Sequence, residues 1–100
     1  MTQDVVAALN AAIDPKDLRG LFPGDIADRL RQVFAGVIRD LLKDGLTPEQ
    51  KQAILDGCKQ FYDSVIRPID IPYIPSFAEA MVDDWIWMAV ESLARRLLQV

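Results

Sequence analysis

DIADRLRQVFAGVIRDLLKDGLTPEQKQAILDGCKQFYDSVIR, running from Asp25 to Arg67, decides the fold. Ile26, Leu30, Val33, Phe34, Val37 and Leu41 recur at helical spacing in its first half, so one stripe of a helix over 25–44 is apolar. Asp25 is suited to cap that helix, Asp28 to its first turn and Lys43 to its last. Gly45 follows as the residue free to turn left-handed at the helix end. Thr47-Pro48-Glu49-Gln50 then reads as a capping box with proline at the first helical position. The helix it opens, over 48–67, presents Ile54, Cys58, Phe61, Tyr62 and Val65 on one side. It should stop near Arg67, because Pro68 disfavours helical geometry at the residue before it. So short a link between two helices predicts a central antiparallel hairpin. Folding the chain about Leu46 sets Gly36 level with Gly57. A glycine inside a helix costs about 1 kcal/mol relative to alanine. The pair therefore suggests a close approach of the two backbones, with chance spacing as the alternative.

Upstream, Val5, Val6, Leu9, Ala12 and Ile13 share a face of a helix over 3–13. Asp14-Pro15 opens a short second helix over 15–21, with Asp14 as its cap and Leu18, Leu21 and Phe22 as its apolar edge. Pro23-Gly24 ends it. Downstream, Pro68 to Pro75 holds three prolines in eight residues and cannot be a regular helix. Ile69, Ile71, Tyr73 and Ile74 make it too apolar to lie in water, so an extended strap across the helices is expected. Ile71 and Tyr73 should be at least half buried. Ser76-Phe77-Ala78-Glu79 reads as another capping box, opening a long last helix over 76–99.

That last helix is apolar over much of its circumference. Ala78, Val82, Trp85, Ile86, Ala89, Leu93 and Leu97 read as its core stripe. Trp87 points about 160° from Trp85, and with Val90, Ala94 and Leu98 it forms a further ridge. Phe77, Met81 and Met88 widen the apolar surface on the other side. Glu79, Asp83, Asp84 and Glu91 occupy what remains. One layer of neighbours covers roughly 100° of a helix, so either the bundle wraps the last helix on several sides or a second chain covers the Trp87 ridge, and the second chain is the leading expectation. Trp87, Val90, Ala94 and Leu98, with Tyr73 and Ile71 of the strap, are the expected partner-binding residues. On this reading Trp87→Asp splits a dimer and leaves helix content unchanged.

The whole reads as one all-α domain over residues 1–100, a small helical bundle. Its 100 residues, 51% hydrophobic and 26% charged, suffice to bury a core. The net charge of −4 and the scattered basic residues argue against nucleic acid, whose phosphates call for a basic stripe. Arg95-Arg96 complements a helix C-terminus instead. No apolar run reaches the length of a membrane span, and the first residues lack the pattern of a secretory signal. With a single cysteine, a cytoplasmic setting is the expectation.

The residues for chemistry are few. The chain has no histidine, which removes the commonest general base and metal ligand. Cys58 falls on a core stripe and reads as a small buried apolar residue. Glu79, Asp83, Asp84 and Glu91 lack the converging geometry that a hard cation needs. Glu91 and Arg95 form a simple i,i+4 pair. Asp70 suits either capping a turn or meeting a partner. The glycines follow no phosphate-binding pattern. No catalytic residue, metal or cofactor is expected. A protein–protein interaction or assembly module, joining a second copy or another protein through an apolar helix face, is the leading expectation. A helical protein with an interior pocket for an apolar ligand is the alternative.

Overall fold

Two helix pairs, packed on one another, make up the bundle in the computed structural model, which describes residues 2–100. Helix α1 spans Thr2–Ala12, α2 Pro23–Leu42, α3 Pro48–Phe61 and α4 Ser76–Leu98. A 3₁₀ turn occupies Pro15–Leu18, and a five-residue π turn, Tyr62–Ile66, continues α3. No strand occurs among the described residues. α2 lies along α4 and α1 along α3; α1 also touches α2, and α3 touches α4. At about 1.5 Å per residue, the 23 residues of α4 set the long axis of a body measuring 42 × 23 × 19 Å.

The local signals explain most boundaries. Asp14 caps the 3₁₀ turn, its carboxylate accepting from Lys16 N–H at 3.0 Å, and Pro15 follows it. The box at Thr47 is complete. Gln50 N–H donates to the Thr47 hydroxyl at 3.2 Å, and Thr47 N–H donates to Gln50 Oε1 at 2.9 Å. Two expected starts are displaced. α2 begins at Pro23 with Phe22 as its cap residue, and Asp25 lies inside the first turn. α4 has Pro75 at its cap position and no side-chain cap, so the Ser76–Glu79 box does not form. Both prolines sit where a missing N–H is tolerated, and they carry the chain into the helix two residues ahead of Asp25 and one ahead of Ser76. The helical run from Pro48 ends at Arg67 as expected, its last turn, Tyr62–Ile66, being π rather than α. Arg67 N–H donates to the Tyr62 carbonyl at 2.9 Å, closing the wider π ring before Pro68.

Val5, Leu9, Ile13 and Leu18 from the first third of the chain meet Ile26, Leu30, Phe34 and Ile38 of α2 in one core. Ile54, Cys58, Phe61 and Tyr62 complete it from α3 and the π turn. Phe34 and Phe61 meet edge to face at 5.9 Å, so the chain does fold back between α2 and α3. Neither helix is the other's main neighbour, however, and nothing approaches an added Cβ at Gly36, which is exposed. The close approach at Gly57 is real and belongs to α1. A Cβ there would stand 2.9 Å from the Thr2 carbonyl oxygen and 2.9 Å from Val5 Cβ. The Thr2 hydroxyl donates to the Ala53 carbonyl at 3.2 Å in the same contact. The matched heights of the two glycines are a coincidence of spacing.

Candidate docking face on the last helix

On α4 the expected core stripe packs inward except at Trp85, and the ridge expected to lie outside is buried. Trp87, Val90, Ala94 and Leu98 belong to the core, and Trp87 is 6% exposed. Its ring lies 5.3 Å from that of Tyr62, and the Lys59 ammonium stands 5.1 Å from the indole. Trp85 is 52% exposed, while Ile86 is buried and Val82, Ala89 and Leu93 are half-buried. α2 and α3 therefore cover the ridge that was expected to await a second chain. Of the two strap residues, Ile71 is buried as expected. Tyr73 is 81% exposed, at a positive φ of 68°, and its ring stacks on exposed Phe22 at 5.5 Å. The strap seats Ile71 in the core, and the left-handed residue two places on swings out of it.

What remains uncovered is a ridge along the outside of α4. Phe77, Met81, Trp85 and Met88 follow one another at steps of four, four and three residues, so they share one face. All four are exposed, Phe77 to 87%. Phe22 and Tyr73 add a stacked aromatic pair, with Tyr73 four residues ahead of Phe77 in the chain. A fully buried aromatic side chain removes about 150–250 Å² from water. Counted at their exposed fractions, the four ridge side chains leave on the order of 550 Å² of apolar surface, and the Phe22–Tyr73 pair on the order of 300 Å² more. The largest apolar patch on an ordinary monomer is about 300–600 Å² and is often functional.

Several charged groups on and beside α4 are paired. Arg67 donates to Asp84 at 2.9 Å and to Asp63 at 3.1 Å, and Lys59 also reaches Asp63 at 3.0 Å. Glu91 pairs with Arg95 at 3.7 Å as its spacing suggested. Asp83 is different. It faces inward and is 7% exposed. Tyr62 holds its main-chain carbonyl through a 2.6 Å hydrogen bond. Burial raises the pKa of its carboxyl; Arg67 opposes the shift, and Glu79 and Asp84 reinforce it.

An acid whose pKa is raised by folding stabilises the folded state most at low pH. That contribution disappears as pH climbs past the ordinary carboxylate range and through the raised value. Asp83→Asn should therefore stabilise the protein at pH 7 by roughly 1 kcal/mol, with the gain shrinking towards zero below about pH 4. Urea unfolding at the two pH values checks it, and an equal effect at both would remove the role assigned to burial.

Other sites offer little chemistry. Cys58 is fully buried, and burial pushes its thiol up to about 12, so it is not poised as a nucleophile. No group of three or more cysteine, aspartate or glutamate side chains is arranged to hold a metal ion among the described residues. No helix is long and apolar enough to cross a membrane among them. The apolar cavity beneath the strap, between Leu18, Ile26, Ile71 and Ile86, measures about 10 Å³. A shallow open cleft of about 690 Å³ runs between Arg19, Val65 and the strap prolines. Asp70 and Arg19, of opposite charge, both line that cleft, and Asp70 forms no capping hydrogen bond or ion pair among the described residues.

Phe77, Met81 and Met88 were legible as apolar residues but not as the solvent face. The signal that marks it is Ser92, Arg95 and Arg96, all exposed and all on the Trp85 side of the helix. No family model, curated protein or solved structure matches the chain.

Proposed function

We propose that this protein is a helical interaction module and that its docking face is the outer ridge of α4. The observation that carries the reading is the run Phe77, Met81, Trp85 and Met88, exposed together on a helix whose opposite side is packed. Burying one such side chain is worth roughly 1.5–3 kcal/mol. A chain of this size has no evident reason to leave four in water except to cover them on association. Tryptophan and tyrosine are common anchors of such contacts. Methionine lets a surface adapt to its partner. The role is binding rather than catalysis: histidine is absent from the chain, and its one thiol is buried. An interior site for an apolar ligand is the weaker reading, because a cavity of about 10 Å³ is near the lower limit for a single water molecule.

The test is photo-crosslinking with benzoylphenylalanine placed at Phe77 and, as an exposed control on α2, at Gln32. Irradiation of the purified chain and of cell extract should give adducts to a polypeptide from position 77, the same chain included. Position 32 should give none. Absence of any adduct from position 77 in both samples would overturn the docking role.

A further inference from the structure

We propose that the occupant of the ridge is a second copy of this chain, with the two α4 helices antiparallel across a two-fold axis near residue 83. The inference rests on the docking role above and adds the partner and the register. Its first support is the order of side chains along the ridge: aromatic, methionine, aromatic, methionine at 77, 81, 85 and 88. Reversing that order exchanges the two classes. Antiparallel pairing about residue 83 therefore sets Phe77 against Met88 of the partner subunit and Trp85 against Met81 of the partner subunit. Every aromatic ring meets a thioether, a contact worth having beyond the area it buries. A parallel pairing in register would set each residue against its own kind.

The area is of the right order. Each partner in an ordinary stable interface contributes about 800 Å², and the four paired side chains of α4 supply on the order of 550 Å² of it. Two-fold interfaces bury the same patch on both copies, and they are the commonest kind. The charges also permit it. Asp83, at the crossing, faces inward, and the exposed Asp84 beside it carries its counter-charge from Arg67 at 2.9 Å. Arg95 and Arg96 lie beyond the overlapping halves, and the helix dipoles run in opposite directions.

The same benzoylphenylalanine at position 77 reads the register. Residues 77 and 88 of one helix stand about 16 Å apart along its axis, so an adduct joining them must be between chains. In the purified full-length protein, the crosslinked species should run as a dimer, with the adduct mapped to the peptide carrying the partner's Met88. An adduct at the partner's residues 77–81 would mean parallel pairing and would overturn the proposal. A purified chain that yields no crosslinked dimer would also overturn it. In that case adducts to a different polypeptide in extract would leave the docking role standing, and their absence would remove both.

Discussion

Trp87→Asp is expected to unfold the protein, while Trp85→Asp, two residues away on the same helix, leaves it folded. Trp87 is packed against the Tyr62 ring and is almost wholly inside. Truncating a buried tryptophan costs about 3–5 kcal/mol, and a carboxylate in its place adds the cost of an unpaired buried charge. The sum is on the order of the 5–15 kcal/mol that holds a domain of this size together. Trp85 projects from the opposite side of α4, and a surface change there costs less than about 1 kcal/mol. Circular dichroism with urea titration of the two variants decides the matter. Equal loss of structure in both, or loss only in Trp85→Asp, would reverse the assignment of faces. The effect of Trp87→Asp is therefore collapse of the monomer rather than the clean separation of a dimer.

Gly57 should be nearly as intolerant. Its absent Cβ makes room for the backbone of α1, and one of the two atoms at 2.9 Å is the main-chain oxygen of Thr2. A backbone atom cannot rotate away as a side-chain tip can, so α1 as a whole must shift. Overpacking of this kind costs typically 1–3 kcal/mol. Gly57→Leu is expected at or above the upper end, and Gly57→Ala within the range. Gly36→Ala should act in the other direction, adding up to about 1 kcal/mol, since it fills open space beside an exposed helix. Thermal unfolding of the three variants checks the ordering. Stabilisation by Gly57→Ala would contradict the contact with α1.

These two sites show where reading a sequence succeeds and where it stops. α2 is amphipathic in the ordinary sense, so Ile26, Leu30 and Phe34 announce the core, and all three are buried. The cap at Thr47 is a local hydrogen-bond pattern, and local patterns need no knowledge of tertiary neighbours. α4 is harder because both of its sides are apolar. Its acids mislead: Asp83 lies on the core side, under Tyr62, and Glu79 and Glu91 flank that side half-buried. Taking those acids as the solvent side turns the helix round and places Trp85 inside. The polar residues of the last turns, Ser92, Arg95 and Arg96, point the right way, but they share their side with four large apolar residues. Periodicity alone cannot rank two apolar faces; only the surface offered by α2 and α3 does so. Gly57 was legible as a close approach and Gly36 misnamed as its partner, for the same reason. Spacing fixes heights along a hairpin, while the neighbour at a given height depends on how the pairs pack.

Self-association through the outer ridge of α4 is the sharper of the two proposals, and the docking role stands without it. Sedimentation equilibrium of the purified chain over a concentration series, from about 1 μM to 1 mM, tests the self-association most directly. The account predicts a wild-type mass that rises from 11.2 kDa towards twice that value, and a folded Phe77→Asp variant that stays at the mass of one chain throughout. A wild type that remains at 11.2 kDa to the top of the range, or a dimer that Phe77→Asp does not weaken, would contradict it.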